Sequence, residues 1–201
     1  MPPPLNFRAG RLIISGLAVV GAVAFFLWPR HGLKEPKRQT VSETPAHDLI
    51  ERGGRWFLRS QTNNAFTGVM VEHFPGGVLR ARVEISNGWP EGLSETWHTN
   101  GVAELREHFK HGVSDGVRER WYENGRKESE ATVAEGKIDG LFERWHENGQ
   151  LAEKIQMKDG HPVGVAWAYY PDGFVKAETT LEAGHPLDRK TWKDGEFKNL
   201  Q

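Results

Sequence analysis

The amino-acid sequence predicts an all-β repeat protein: a single elongated, twisted antiparallel sheet of stacked 24-residue β-hairpins, preceded by one N-terminal transmembrane helix. Three columns of residues recur every 24 positions: a glycine, an aromatic residue five positions after it, and a turn pair eight and nine positions after it. Because all three columns keep this spacing without a gap, they predict five units over residues 65–188.

Each unit is expected to fold as one β-hairpin. Its turn pair is Asn-Gly in the three central units and Asp-Gly in the last, and such pairs favour type I′ turns, which need positive φ at both central residues. In the third unit this predicts strands over 117–122 and 126–133, and a reversal to the next hairpin at Gly136 and Asp139-Gly140. The leading glycines are Gly68, Gly92, Gly116, Gly140 and Gly164, and the turn glycines are Gly77, Gly101, Gly125, Gly149 and Gly173.

We number positions in each unit from its leading glycine. Apolar residues concentrate at the odd positions one, five, fifteen and seventeen, whereas the even positions are mostly charged or polar. Since successive side chains of a strand point to opposite faces, the pattern predicts one apolar, aromatic face and one wetter face. Position one holds Val69, Leu93, Val117, Leu141 and Val165, and position five holds His73, Trp97, Trp121, Trp145 and Tyr169.

The repeated motif resembles a known family. The pattern G-x-x-E-x-W-x-x-N-G, which starts at Gly92, Gly116 and Gly140, resembles the variant MORN repeat. The segment Arg55–Gly77 is similar to the entry segment of the bacterial YwqK-type proteins, which are labelled antitoxins. This resemblance implies stacked hairpins and, through the family label, an antitoxin-like role. The first and last units depart from the motif at Val71, His73 and Trp167.

Both ends of the array are expected to carry caps, because an open sheet edge invites the addition of further strands. Residues 54–64 are predicted as a capping strand, and residues 189–201 as a partial repeat with Trp192 and an Asp194-Gly195 turn.

An apolar segment precedes the repeats. Residues 12–28 carry no charge, and at 1.5 Å per residue they give about 25 Å, the low end of a membrane span. We expect a transmembrane anchor here, with residues 1–11 as a short tail and 29–53 as a linker. A cleaved signal peptide, with a site at Ala22-Val23-Ala24, and a buried core helix are the alternatives. The apolar run continues past that site, which favours the anchor.

Charge is divided unevenly along the chain. Residues 1–55 have 8 Lys and Arg against 4 Asp and Glu, whereas residues 65–188 have 13 against 21. An acidic body argues against binding nucleic acid or anionic lipid headgroups. Basic residues flank the apolar segment on both sides, so the charge rule leaves orientation open. The short tail favours a single-pass membrane protein with a periplasmic body, and the absence of Cys excludes disulfides and thiolate metal sites.

A glutamate column at position three is a candidate partner-binding feature: Glu95, Glu119 and Glu143. Two interpretations stay open. Each carboxylate is held by backbone N–H groups or by a basic residue of a neighbouring hairpin, or the column is a line of acceptors for a basic peptide strand or a polar polymer.

Two aromatic columns are further candidates. Trp97, Trp121, Trp145 and Tyr169 at position five are expected to pack in the core, with a binding platform as the alternative. The column at position six is expected on the other face, where it either marks a partner surface or stacks across strands. Its members are Phe74, His98, Tyr122, His146 and Tyr170.

The sequence gives little support for a metal, a cofactor or catalysis. The histidine pairs His161 with His185 and His108 with His111 have no clear third ligand. No catalytic motif occurs, and carboxylates that recur with the repeat have equal environments, whereas a catalytic pair needs unequal ones. We therefore expect a membrane-anchored, non-enzymatic scaffold that binds another protein through its sheet face in the cell envelope. The alternatives are an antitoxin-like protein that neutralises a partner and a polysaccharide-binding module.

Overall fold

The computed structural model describes residues 42–182 and 184–197. The predicted anchor at 12–28 and the tail before it lie outside these residues, as does most of the predicted linker. Within the described ranges no helix is long and apolar enough to cross a bilayer. Apart from one short 3-10 helix at Ala46–Asp48, the regular structure in these ranges is β-strand.

The strands follow the repeat closely. In chain order they are β1 (Glu43–Pro45), β2 (Leu49–Arg52), β3 (Arg55–Leu58), β4 (Gln61–Ala65), β5 (Gly68–His73), β6 (Leu79–Ser86), β7 (Trp89–Trp97), β8 (Ala103–Lys110), β9 (Val113–Ser114), β10 (Gly116–Trp121), β11 (Lys127–Ala134), β12 (Lys137–Trp145), β13 (Leu151–Lys158), β14 (His161–Tyr169), β15 (Val175–Glu182) and β16 (His185–Thr191).

One large twisted sheet contains most of these strands. Its order is β1-β5-β6-β7-β8-β10-β11-β12-β13-β14-β15-β16, with β9 paired to β8 beside this path. Its neighbours are antiparallel except β1 and β5, which are parallel, so the sheet is mixed. The predicted sheet of stacked hairpins is confirmed, whereas the predicted helix lies outside the described residues.

The N-terminal end carries a second, three-stranded sheet of order β2-β3-β4. The segment predicted as a capping strand contributes β3 and β4 to this sheet, and β1 takes the edge position beside the first unit. Residues 43–52 of the predicted linker therefore form strands and a 3-10 turn. Burial explains this, because Leu49 packs with Phe66 and Ile85 in a core cluster and is 2% exposed.

The C-terminal segment folds back over the last hairpin. After β16, the backbone N–H of Trp192 donates to the carbonyl of Lys176 at 3.1 Å, and the N–H of Val175 donates to the carbonyl of Phe197 at 2.7 Å. The rings of Trp192 and Phe197 stack with centroids 5.2 Å apart. Val175, which makes one of these bonds, is fully buried.

The prediction of type I′ turns at the Asn-Gly pairs is wrong. In the third unit Gly125 has φ of +80°, but Asn124 does not have positive φ. The N–H of Gly125 donates to the carbonyl of Tyr122, and the N–H of Tyr122 donates to that of Arg126, both at 2.9 Å. These bonds close a three-residue loop between the strands. It consists of a β-turn over Tyr122–Gly125 that ends in a left-handed conformation at Gly125. The Asn124 side chain accepts the N–H of Arg126 at 2.9 Å, which stabilises this loop instead.

Turns with two positive φ values occur between units. Their residue pairs are Asn87-Gly88, His111-Gly112, Glu135-Gly136 and Asp159-Gly160. The Asp139-Gly140 pair, predicted to help reverse the chain, lies within β12 instead. The reversal is complete after Glu135-Gly136, because a two-residue loop with both residues left-handed matches the twist of its strands.

The expected single apolar face is also wrong. In the third hairpin Glu119 pairs with Glu130, Arg118 with Ala131, and Gly116 with Val133. Odd positions of the first strand therefore share a face with even positions of the second.

The cause is a register shift between Arg120 and Trp121, where the second strand carries one extra residue. Ala131 and Val133, which are 4% and 2% exposed, consequently lie on the face opposite Glu119. We call the face with Glu119 the ladder face and the other the reverse face.

A candidate protein-binding face

A row of register partners crosses the ladder face from strand to strand. It contains all three candidate glutamates, and charge alternates along much of its length. We call this row the ladder. Its members are Arg82, Glu95, Arg106, Glu119, Glu130, Glu143, Lys154, Trp167, Glu178 and Lys190.

Each candidate glutamate contacts a basic residue of its own hairpin. Glu95 lies 2.9 Å from the Arg106 guanidinium, and Glu119 lies 2.7 Å from Lys127 Nζ. Glu143 lies 3.4 Å from Lys154 Nζ. The carboxylates are therefore held in place by partly exposed ion pairs, which contribute little to stability but fix the order of charges on this face.

Lys127 bridges two acids at the centre of the ladder. Its ammonium donates to Glu119 at 2.7 Å and to Glu130 at 2.5 Å, while Glu130 pairs in register with Glu143. Partial burial would lower the pKa of Lys127, but the hydrogen bonds to Glu119 and Glu130 outweigh it and raise the pKa above 10.5. Three acids and two lysines, Lys127 and Lys154, thus leave the centre of the ladder net negative.

The tryptophan column lies beside the ladder on the same face. Trp97, Trp121 and Trp145 are half-buried, and Tyr169 is buried. Basic side chains of the preceding unit stand over two rings: the Arg106 guanidinium is 5.5 Å from the centroid of Trp121, and Lys127 Nζ is 5.9 Å from that of Trp145. These contacts connect successive units through cation–π attraction.

An exposed apolar row runs along the other side of the ladder. Val117, Leu141 and Val165 occupy position one and are 45%, 39% and 44% exposed. They lie on the ladder face because each stands two residues before a ladder residue of its strand. Their register partners are the polar residues Thr132, Gln156 and Thr180.

The aromatic column at position six has a role that the sequence analysis missed. Tyr122 Oη donates to the carbonyl of Trp145 at 2.7 Å, and Tyr170 Oη donates to that of Trp192 at 3.1 Å. Nε2 of His98 and of His146 make the same bond to the carbonyls of Trp121 and Tyr169, at 2.8 and 3.0 Å. Each polar tip therefore couples its unit to the following segment.

The hydroxyl of Tyr122 stays protonated and able to donate. Burial raises its pKa above 10.0, and the carboxylates of Glu128 and Glu147 raise it further against the opposing charge of Arg144. A signal for this coupling was present in the sequence, because a donor-bearing residue at position six recurs in four successive units.

Polar side chains also join the turns of neighbouring units. On the within-unit side, Asn100 Nδ2 donates to the carbonyl of Glu123 at 2.8 Å. The equivalent side chains of the next two units, Asn124 and Asn148, donate to the carbonyls of Glu147 and Pro171. On the between-unit side, Glu91 accepts the N–H of His111 at 2.6 Å. Asp115 and Asp139 accept the equivalent N–H groups of Glu135 and Asp159 at 3.4 and 3.3 Å. The acidic residue before the leading glycine of the three central units is the sequence signal of this contact.

A cavity of about 330 Å³ brings three candidate residues together, namely His98, Trp121 and Tyr122. Glu123, Asn124, Glu128 and Glu147 line the same cavity. The other candidate residues are distributed along the sheet. Over the part of the chain that the structure describes, no group of three or more His, Asp or Glu side chains is arranged to hold a metal ion.

Comparison with known proteins adds one finding on the repeat. The family model described as MORN repeat variant matches residues 138–159. This segment spans the hairpin of β12 and β13 with its within-unit turn. The match supports a MORN-repeat protein, as the sequence motif predicts. No curated protein matches the chain.

Proposed function

We propose that this chain is a membrane-anchored, non-enzymatic scaffold of the cell envelope, a YwqK-type relative of MORN-repeat proteins, that binds another protein through the ladder face. In this proposal residues 12–28 form a single-pass anchor and the repeats lie in the periplasm. The uncharged run of residues 12–28 and the fold of stacked hairpins support it.

The exposed apolar row is the observation that carries the proposal. Val69, at position one of the first unit, is 3% exposed, whereas Val117 at the same position of the third unit is 45% exposed. Leu141 and Val165 repeat this exposure in the next two units. Apolar side chains that recur at one position on alternate strands, with charges beside them, support a surface that a partner covers.

The charge of the body indicates the charge of the partner. Residues 65–188 carry 21 acidic against 13 basic side chains, and the centre of the ladder is net negative. A complementary partner surface is basic around an apolar centre, because charges of opposite sign steer encounter and fix orientation.

Crosslinking in the native cell tests the face. A photoreactive residue replaces Val117, and a matched control replaces Arg120, which is exposed on the reverse face of the same strand. We expect one specific protein adduct from position 117 and none from position 120. Adducts of equal yield from both positions, or none from position 117, would contradict binding through the ladder face.

Protease accessibility tests the topology. We expect added protease to digest the repeat body in spheroplasts but not in intact cells. Digestion only after the inner membrane is lysed would place the body in the cytoplasm and overturn the envelope part of the proposal.

A further inference from the structure

The apolar row has a regular spacing that restricts the conformation of a partner. Val117, Leu141 and Val165 lie on β10, β12 and β14, so neighbouring members are two strands apart. At a strand spacing of about 4.8 Å, they recur every 10 Å or so across the sheet. A segment that contacts all three must present an apolar side chain toward the sheet at that interval.

An α-helix satisfies this spacing and a β-strand does not. Seven helical residues rise about 10.5 Å in nearly two whole turns, so every seventh side chain returns to the same side. An extended strand covers a similar distance in three residues, but residues three apart point to opposite faces. A partner strand that contacts Val117 and Val165 would therefore point the side chain opposite Leu141 away from the sheet.

The width of the site also fits a helix. The apolar row and the ladder are two residues apart on each strand, which is about 7 Å. A helix about 10–12 Å across covers both at once. Its residues beside the apolar seam would face Glu119, Glu130 and Glu143, whose charge is only partly balanced by Lys127 and Lys154.

We propose that the partner docks an amphipathic α-helix across the strands of the ladder face, with an apolar residue at every seventh position and basic residues flanking it. This inference rests on the proposed function and specifies its ligand. Contact with all three members of the apolar row needs about 15 helical residues, or roughly four turns.

The test maps where the partner is crosslinked. The photoreactive residue is placed separately at Val117, Leu141 and Val165 in the full-length protein in its native membrane, with position 120 as the control, and each adduct site is located in the partner by peptide mass spectrometry. We expect three sites seven residues apart in one segment of the partner. Sites three residues apart, as in a polyproline II helix, or sites on unconnected segments would overturn the helix while leaving the proposed function intact.

A second measurement uses the crosslinked segment as a synthetic peptide. We expect its affinity for the full-length protein in detergent to fall at least tenfold when any one of its three apolar contact residues is changed to Asp. Changing an apolar residue three positions away should have a smaller effect, and equal losses at both kinds of position would contradict the seven-residue seam. The absence of any specific adduct would overturn the proposed function and the helix with it.

Discussion

Position one of the repeat has two different environments in one molecule. In the first unit Val69 is 3% exposed and lies beside the flanking strand β1. On the reverse face of the same hairpin, the core of Leu49, Phe66 and Ile85 joins the small sheet to the large one. In the third unit Val117 has the same place in the repeat but is 45% exposed. The difference shows that the repeat motif specifies where a residue lies on the sheet, while the flanking segments decide whether it is buried. Stability and an available surface are thus placed in different units.

The largest expected effect is on the core of the first unit. Ile85→Ala should lower the free energy of unfolding by about 2–5 kcal/mol, because Ile85 is 3% exposed and its loss leaves a cavity. Leu141→Ala is the matched control, since Leu141 is 39% exposed, and we expect a loss of about 1 kcal/mol or less. Urea unfolding followed by tryptophan fluorescence measures both. Equal losses would show that the two sites do not differ in packing.

A smaller effect is expected where units are coupled. Tyr122→Phe removes the hydroxyl that donates to the carbonyl of Trp145 at 2.7 Å, and should cost about 1 kcal/mol. Tyr170→Phe removes the equivalent 3.1 Å bond to Trp192 and should cost less. Thermal unfolding by circular dichroism compares the two variants. If neither changes stability, the coupling at position six does not hold the units together.

The smallest expected effect is a pH dependence at the between-unit turns. Lys158 donates to Asp139 at 2.7 Å, which lowers the pKa of Asp139 below 3.8 and raises that of Lys158 above 10.5. Because the folded pKa of the carboxyl is lowered, its contribution to stability is present above pH 3.8 and is lost as pH falls through the folded value. The melting temperature of Asp139→Asn should lie slightly below that of the unsubstituted protein at pH 6 and approach it at pH 2.

Asp115→Asn is the matched control for this pH dependence. Asp115 has the same position in the preceding unit and accepts the N–H of Glu135 at 3.4 Å, but the described residues give it no ion pair. Its substitution should change the melting temperature less, and a pH profile equal to that of Asp139→Asn would assign the effect to the turn bond and not to Lys158.

The sequence predicts the hairpins well because glycine spacing is a strong constraint. In the third unit the expected strand over 117–122 and the observed strand Gly116–Trp121 differ by one residue at each end. The assignment of faces failed for a physical reason: the bulge opposite Trp121 inserts a residue without any Gly or Pro to mark it. Glu135 likewise has a φ of +50°, which its residue type does not suggest.

The candidate site could be predicted only in part. The regular columns identified Glu119 and Trp121 from sequence spacing alone. The partners of Glu119 were not visible, because Lys127 reaches it from position eleven, which holds Leu, Ala or Val in the other units. The exposure of Val117 could not be predicted from the sequence either. Burial depends on which other segments cover the sheet, and the repeat motif does not indicate them.

The hydrogen bonds from position six fix the number of residues between successive units. His98, Tyr122 and His146 each reach a carbonyl 23 residues further along the chain, whereas Tyr170 reaches one 22 residues away. An in-frame duplication of 24 codons between the central units would therefore preserve every such bond and lengthen the array by one period. An insertion whose length is not a multiple of 24 residues would break the bonds across it. Growth of this protein by gene duplication is therefore restricted to whole repeats added before the last unit, where the final bond spans 22 residues.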